Sequence, residues 1–437
     1  MSKLSEQFKK NSIGVKMATI AVLALLLLIP AFMISSLIHE RQSRKNEVIS
    51  EISSKWGNVQ VITGPFLSVP YKSHYRNKDG AKKSIIEYYH ILPDKLNFTT
   101  DLSSTVRYRG LYETVLYSGN IHISAKYLPI KVKNREISRE ILWDEIYLSL
   151  GINDLKGITE QIHILVNNKK YLMEPGLIHE DLADSGVSTT LHNFNISRPI
   201  EIEFDVQLNG SRYIQFIPLG KETTSEIKSD WNTPSFSGSF LPVDHTINKD
   251  GFLAKWKILH LNRNYPQQWA ADQYDVENSA FGVDLIILAD VYQKSMRTSK
   301  YAILFIGLTF CAFFFSEIFN KQRIHPVQYL FIGFAIVIFY ILLIAIAEHI
   351  GFGYAYLLAS SAIIALITFY SVPMLKNKKV SAIIFSLMAI LYGLLYIILQ
   401  LEDMALLLGS IAIFGVLAAI MYITRKIDWY LINLDEK

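Results

Sequence analysis

The chain has 437 residues, of which 51% are hydrophobic and 19% are charged. Its mean hydropathy of +0.24 is typical of a protein that is partly embedded in a membrane and partly soluble. The net charge of +4 is too small to indicate a nucleic-acid partner, and the single cysteine, Cys311, excludes a disulfide framework and a cysteine-based metal site. The length predicts two or three structural units.

An uncharged run over residues 17–38 predicts the first transmembrane helix, because it is long enough to span about 30 Å of hydrocarbon. The alternative is a cleaved signal peptide, which has a shorter apolar core and a small-residue cleavage site. Ile34-Ser35-Ser36 fits such a site poorly, so we expect a retained anchor preceded by a cytoplasmic tail over residues 1–16. A polar, charged helix is expected to continue to about Trp56.

Short runs of alternating polarity follow this helix and predict a β-rich domain outside the cytoplasm over residues 39–299. The clearest run, residues 200–208, is apolar at every second position and is followed by Asn209-Gly210. Because this combination favours a type I′ turn, we expect a tight hairpin there. A weaker hairpin is expected around residues 118–120, and a final strand over residues 281–291.

Five further apolar runs predict a five-helix transmembrane bundle over residues 300–424. They lie near residues 301–319, 328–347, 352–373, 381–400 and 404–424. Lysine and arginine occur in alternate spacers, and positively charged spacers remain in the cytoplasm. We therefore expect both termini, including the tail over residues 425–437, to be cytoplasmic. The predicted fold is an α-helical membrane protein of about six helices, with a large β-rich extracytoplasmic domain inserted between helices 1 and 2.

The sequence contains no motif of a zinc protease, a serine hydrolase or a nucleotide-binding protein. Its histidines are scattered, and His122, His163 and His260 have no partner at metal-ligand spacing, so each is more simply a surface or core residue. Cys311 lies among phenylalanines and is expected to be an inert small hydrophobe. We expect no catalytic, cofactor-binding or metal-binding residues, no cofactor and no enzymatic activity.

Ionisable and aromatic residues near the ends of the membrane helices are the candidates for structural or interface contacts, because charges at bilayer depth are costly. They are Arg297, Lys300, Glu317, Arg323, His325, Glu348, His349, Glu402, Asp403, Asp428 and Trp429. The simple interpretation is that interfacial charges set the helix ends. The alternative is that the two acidic spacers on the outer side receive the soluble domain through Arg297 or Lys300.

The short link over residues 323–326 is expected to be a cytoplasmic turn. Pro326 can be the first residue of the next helix, and Arg323 lies near the end of a helix, where the dipole favours a cation. The simple interpretation is a turn that sets topology. The alternative is a lock in which Arg323 pairs with Glu317 or Asp428.

A set of short motifs in a fixed order covers nearly the whole chain and is concentrated at the membrane helices. It comprises LLLLIP at 25–30, HER at 39–41, GP at 64–65, DW at 230–231, PSF at 234–236, FLP at 240–242, KYAIL at 300–304, QR at 322–323, HP at 325–326, QYL at 328–330, EH at 348–349, GF at 351–352, ALLLG at 405–409 and IDWY at 427–430. Together these motifs resemble the CreD family of inner-membrane proteins.

The resemblance implies a non-enzymatic protein of the bacterial inner membrane, induced by a two-component sensor and regulator system. It further implies a role in envelope integrity and stress response, with links to colicin tolerance and β-lactam response. The expected partners are the lipid bilayer and periplasmic or envelope proteins or cell-wall components, and no nucleic acid. The alternative is a transporter or lipid-handling protein whose periplasmic domain receives the cargo.

Overall fold

A computed structural model describes residues 12–76, 82–132, 141–192, 194–287, 291–320, 322–401 and 404–425. Contacts divide the chain into two compact units. One unit, Asn46–Leu288, is called the β-domain here. The other, called the membrane unit, combines Met1–Lys45 with Ala289–Lys437.

Seven α-helices occur in the described residues. They are α1 (Ser12–Trp56), α2 (Val291–Lys300), α3 (Ala302–Asn320), α4 (Pro326–Ile350), α5 (Phe352–Leu375), α6 (Lys378–Gln400) and α7 (Ala405–Thr424). All except α2 are long and apolar enough to cross a membrane, which confirms the prediction of six such helices. The short polar helix α2 was not predicted, because it occupies residues that the sequence pattern joined to the last strand and the following linker.

The start of α4 agrees with the sequence. Pro326 is at the first helical position, where its missing N–H is not needed. His325 caps the helix, because its Nδ1 accepts a hydrogen bond from the backbone N–H of Val327 at 3.2 Å. The Gln328 side chain in turn accepts from the His325 N–H at 2.9 Å, which completes a capping box.

Aromatic side chains fill the interior of the membrane unit. The Phe339 and Tyr392 rings lie 4.8 Å apart, and the Phe305 and Tyr392 rings are equally close. The hydroxyl of Tyr356 donates to the backbone oxygen of Tyr392 at 2.8 Å, which ties α5 to α6. Each of these ring pairs meets edge to face, an arrangement that aromatic rings prefer.

The β-domain contains seventeen described strands in two sheets. The strands are β1 (Gln60–Arg76), β2 (Lys82–Ile91), β3 (Lys95–Arg109), β4 (Tyr112–Tyr127), β5 (Glu145–Ile152), β6 (His163–Val166), β7 (Lys169–Leu172), β8 (Glu174–Pro175), β9 (Gly186–His192), β10 (Ile200–Ser211), β11 (Tyr213–Ile217), β12 (Glu222–Ser229), β13 (Pro234–Gly238), β14 (Asp244–Asn248), β15 (Gly251–Leu259), β16 (Gln268–Ala270) and β17 (Phe281–Leu285).

The first sheet, sheet A, has the order β13-β17-β11-β1-β5-β9-β8, with β2 paired to β1 and β16 paired to β2. The second, sheet B, has the order β14-β15-β12-β3-β4-β10-β6-β7. Aromatic contacts join the two sheets: Phe98 of β3 lies 4.6 Å from Phe216 of β11, and Trp256 of β15 lies 5.6 Å from Phe281 of β17. The alternating strands therefore place their apolar residues in one core between the sheets.

The hairpin expected at Asn209-Gly210 is wrong. Both residues lie inside β10, which stays paired with β4 through Ser211. The chain leaves the sheet one residue later, at Arg212, which has a φ of 65°. The next strand, β11, joins sheet A, so the turn is a corner between sheets, and pairing with the long strand β4 outweighs the local preference of Asn-Gly for a turn.

Two further expectations need correction. Residues 118–120 do not form a hairpin, because they lie in the middle of the sixteen-residue strand β4, which pairs on both sides with β3 and β10. The last strand ends at Leu285 rather than near Val291, where α2 begins. In both cases the alternating apolar residues do lie in a strand, but the residues at which the strand begins and ends depend on the neighbouring strands.

We predict that Gly210→Val destabilises the β-domain by about 1 to 3 kcal/mol, because it overpacks the core. A Cβ at this position would overlap the hydroxyl of Tyr117, a residue that is 1% exposed. Thermal unfolding of the detergent-solubilised full-length protein measures the effect. The matched control is Gln207→Val, which places the same side chain at an exposed position of the same strand. A Gly210→Val protein as stable as the wild type would contradict the strand assignment.

Candidate functional site

A cluster of polar side chains interrupts the apolar interior at one place in sheet A. Ser68 of β1 and His90 of β2 are directly opposite each other in an antiparallel pair, so their side chains lie on the same face. Both residues are 0% exposed. His179 and Asp181 come from the irregular segment 176–185 between β8 and β9, which covers this face.

The four residues form a closed ring of hydrogen bonds, three between side chains and one from a backbone N–H. The backbone N–H of Asp181 donates to Nδ1 of His179 at 3.3 Å, and Nε2 of His179 lies 2.7 Å from Oγ of Ser68. Oγ of Ser68 lies 3.1 Å from Nδ1 of His90, and Nε2 of His90 lies 2.9 Å from Oδ2 of Asp181. One set of tautomers satisfies every contact: His179 carries its hydrogen on Nε2, His90 carries its hydrogen on Nε2, and Ser68 donates to His90.

Aromatic rings enclose the cluster and lower its local dielectric. The ring of His179 lies 4.7 Å from that of Tyr88, and the ring of His90 lies 5.6 Å from that of Trp269. Burial, reinforced by the neighbouring His90, lowers the pKa of His179 to about 4, although the Asp181 carboxylate acts in the opposite direction. His179 is therefore neutral at physiological pH.

Asp181 is the charged member of the cluster. The hydrogen bond from His90 lowers the pKa of the Asp181 carboxyl, and the weaker effect of its partial burial opposes this shift. Its side chain is 23% exposed, so the carboxylate connects the buried histidines with solvent. Burial, followed by the charge of Asp181, raises the pKa of the nearby Tyr88 hydroxyl.

The donor set of this cluster is suited to a transition-metal ion. His90, His179 and Asp181 each offer one donor atom, and these atoms lie within 4.8 Å of one another. Among the described residues, these three form the group of histidine, cysteine, aspartate or glutamate side chains whose donor atoms lie this close together. Two imidazoles and a carboxylate are ligands that Zn²⁺ accepts.

Ser68, His90 and Asp181 also form a Ser–His–Asp chain of hydrogen bonds, which is the arrangement found in nucleophilic hydrolases. Here, however, Ser68 is fully buried in a central strand, and its hydroxyl is shared between two imidazole rings. A nucleophile must be presented to its substrate, so this geometry favours a structural or metal-binding role over acyl transfer.

The sequence analysis missed this cluster. Ser68 and His90 are separated by 22 residues, and Asp181 is another 91 residues further along the chain. The available signals were weak, since they consisted of a polar residue within each of two strand-like runs and the triplet His179-Glu180-Asp181. Only the pairing of β1 with β2 and the path of segment 176–185 bring the residues together.

Among the residues predicted at the helix ends, Glu317 has the most enclosed position. It is 0% exposed and forms an ion pair with Lys16 of α1. Its carboxylate also accepts hydrogen bonds from the N–H of Ile324 at 3.2 Å and from the hydroxyl of Tyr329 at 3.3 Å. Glu317 thus joins α1, α3 and α4, since a buried carboxylate is tolerated when it is paired and hydrogen-bonded.

Glu348 forms a second junction within the membrane unit. Its Oε1 accepts a hydrogen bond from the hydroxyl of Tyr292 at 2.8 Å and lies 4.0 Å from Nε of Arg41. These contacts connect α4 with α2 and α1. Arg297 and Lys300 lie on α2.

The remaining predicted residues have simpler positions. His325 is the cap of α4, His349 is exposed in its last turn, and Arg323 lies in the link between α3 and α4. Four predicted residues lie outside the described part of the chain: Glu402, Asp403, Asp428 and Trp429. The docking and lock hypotheses that use these residues stay predictions.

Comparison with known proteins gives a consistent result. A family model described as "Inner membrane protein CreD" matches residues 12–430. The chain is also 30% identical, over 435 residues, to the inner membrane protein CreD of Escherichia coli (strain K12). That alignment covers 98% of this chain and 96% of the relative. Both matches include the β-domain and the membrane unit.

We predict that Ser68→Ala lowers the free energy of unfolding of the β-domain by about 1 to 3 kcal/mol, because it leaves two buried ring nitrogens without their partner. The matched control is Ser149→Ala. Ser149 is also buried, but its hydroxyl has no hydrogen-bond partner among the described residues, so its removal should be nearly neutral. Chemical denaturation of the full-length protein in detergent compares the two. Equal losses would show that the hydrogen-bonded ring contributes nothing specific.

Proposed function

The chain belongs to the CreD family of inner membrane proteins, and from this premise we propose that it supports cell-envelope integrity during stress without catalysing a reaction. In this proposal the membrane helices anchor the protein, and the β-domain binds a polar polymer of the cell wall. The observation that carries the proposal is the solvent-facing surface of sheet B, which contains two hollows lined in part by polar side chains.

The first hollow has a volume of about 520 Å³. Its lining combines apolar surface, which includes the ring of Trp56, with hydroxyl and amide side chains, including Ser118, Asn120, Gln207 and Asn209. The indole N–H of Trp56 donates to the backbone oxygen of Tyr117 at 3.2 Å, so the orientation of the ring is set. A fixed aromatic ring beside convergent donors and acceptors suits a sugar, which has both apolar ring faces and hydroxyl groups.

The second hollow lies over the same strands, towards their other end, and has a volume of about 430 Å³. Its lining adds charges of both signs, including Lys95, Lys126, Glu201 and Glu203. Lys126 and Glu201 are paired at 2.7 Å. Cell-wall peptide stems carry both amino and carboxylate groups, so this mixture complements the peptide part of a glycan polymer.

The placement of the β-domain outside the cytoplasm is part of the proposal. It is supported by the alternation of basic and acidic spacers between the membrane helices. A retained first helix then makes both termini cytoplasmic.

We predict that a cysteine at Glu203 reacts with a membrane-impermeant maleimide in intact spheroplasts, whereas one at Lys378 reacts only after the cells are opened. Both positions are exposed, and Lys378 follows Asn377, whose side chain caps α6 and is best left intact. The background carries Cys311→Ser, because Cys311 is the only native thiol. Labelling of position 378 in intact spheroplasts would refute this topology.

We predict that the purified full-length protein cosediments with isolated cell-wall sacculi, and that Asn120→Ala combined with Gln207→Ala weakens this binding about tenfold or more. The matched control is the double variant Glu174→Ala with His192→Ala, which removes two exposed polar side chains from sheet A. This variant should bind sacculi like the wild type. Survival under envelope stress of cells that express each variant tests the physiological role.

Two results would overturn the proposal. One is a wild-type protein that does not cosediment with sacculi. The other is an equal loss of binding in the sheet A control, which would indicate nonspecific adsorption.

The alternative, lipid handling, is favoured by an apolar hollow of about 450 Å³ in the membrane unit, formed by α3 and Ile413 of α7 with Lys300 at its rim. A Cβ at Gly307, which lines this hollow, would meet open space, so Gly307→Trp can fill it. Loss of stress survival in that variant with unchanged sacculus binding would favour lipid handling over the proposed function.

A further inference from the structure

We infer that His90, His179 and Asp181 form a binding site for one Zn²⁺ ion in the β-domain. The site belongs to sheet A and to segment 176–185, whereas the two hollows belong to sheet B. It therefore stands independently of the proposed cell-wall contact.

Two of the three distances between the donor atoms lie near the value expected in a tetrahedral zinc site. Nε2 of His90 and Oδ2 of Asp181 are 2.9 Å apart, and Nδ1 of His179 and the same oxygen are 3.6 Å apart. Zinc bonds to nitrogen and oxygen are about 2.0 to 2.2 Å long, so neighbouring ligand atoms in a tetrahedron are separated by about 3.3 Å. These two separations lie on either side of this value, and all three donor atoms lie within 4.8 Å of one another, so the side chains would have to close around an ion without a change of strand pairing.

Ser68 supplies the support that zinc-binding imidazoles require. Its Oγ lies within hydrogen-bond distance of the two ring nitrogens that face away from Asp181, Nδ1 of His90 and Nε2 of His179. A serine oxygen has two acceptor sites, so it can accept an N–H from both rings at once. Partners of this kind fix the orientation and tautomer of a zinc-binding histidine.

Zinc binding needs a tautomer change in one ring and the release of one backbone hydrogen bond. In the ion-free ring of hydrogen bonds, His90 carries its hydrogen on Nε2 and donates it to Asp181. Moving that hydrogen to Nδ1, where Ser68 accepts it, frees the Nε2 lone pair for the ion. Nδ1 of His179 carries no hydrogen, and its lone pair accepts the N–H of Asp181 in the ion-free state; the ion would replace that N–H. No proton has to leave the protein, and no ligand remains protonated at its donor atom.

The surroundings support an ion with an open position. Two of the ligands are almost fully buried, whereas the Asp181 side chain reaches solvent. Three protein ligands leave the fourth zinc position to a water molecule or to a donor group of a bound molecule. The ion would also attach segment 176–185 to strand β2, because one ligand comes from the strand and two come from the segment.

Metal analysis of the full-length protein in detergent, purified without a histidine tag, tests this inference. After removal of metal with a chelator and dialysis against buffered Zn²⁺, we expect about one zinc ion per chain, as for a preformed site of three ligands. His90→Gln and His179→Gln should each abolish stoichiometric binding. His122→Gln is the matched control and should retain it.

His122 suits this role because it also lies beside two carboxylates, 2.9 Å from Asp205 and 3.4 Å from Glu203, but on the exposed face of sheet B. If zinc bound only weakly to exposed histidines and carboxylates, the zinc content of His122→Gln would therefore fall as well. Equal zinc content in His122→Gln and His179→Gln, or a wild type without stoichiometric zinc, would overturn the inference.

Two measurements on the wild-type protein keep the inference testable if a variant fails to fold. X-ray absorption of the zinc-loaded protein should show nitrogen and oxygen neighbours with the scattering pattern of two imidazoles. Hydrogen–deuterium exchange should show that Zn²⁺ slows exchange in segment 176–185 more than in β14, an exposed strand at the edge of sheet B. Absence of the imidazole pattern, or equal slowing in both segments, would refute the site.

Discussion

The apolar layer between the two sheets is the constraint on which the β-domain depends. Phe98 and Trp256 from sheet B meet Phe216 and Phe281 from sheet A, and all four rings are buried. With no disulfide available, burial of this layer provides the main stabilisation of the domain. It also determines the register of each strand, because a shift by one residue would expose the apolar side chains and bury the polar ones.

The same constraint produces the two features that the proposals use. Strand alternation places amides, hydroxyls and charges on the outer face of sheet B, where they contribute to the lining of the two hollows. In sheet A, by contrast, Ser68 and His90 are buried, and their cost is offset because every ring nitrogen of the cluster has a partner. A complete polar network inside an apolar core is expensive to assemble, and this is why it indicates a role such as metal binding.

The membrane unit separates its polar and apolar contacts in a comparable way. Aromatic rings fill its interior, whereas the charged junctions lie near helix ends, with Glu317 three residues from the end of α3 and Glu348 two residues from the end of α4. Each acidic side chain has a basic partner on α1, Lys16 for the first and Arg41 for the second. The first helix is thus bonded to the bundle at two points, a role that hydropathy alone does not reveal.

The amino-acid sequence by itself determined the six membrane helices, the β-rich insertion and the start of α4 at Pro326. These features depend on local composition and on the conformational limits of single residues, which neighbouring sequence is enough to specify. The tertiary structure alone decided that Asn209-Gly210 continues a strand, because pairing with β4 outweighs the local turn preference. It likewise brought His90, His179 and Asp181 together, since strand pairing, rather than spacing along the chain, places distant residues side by side.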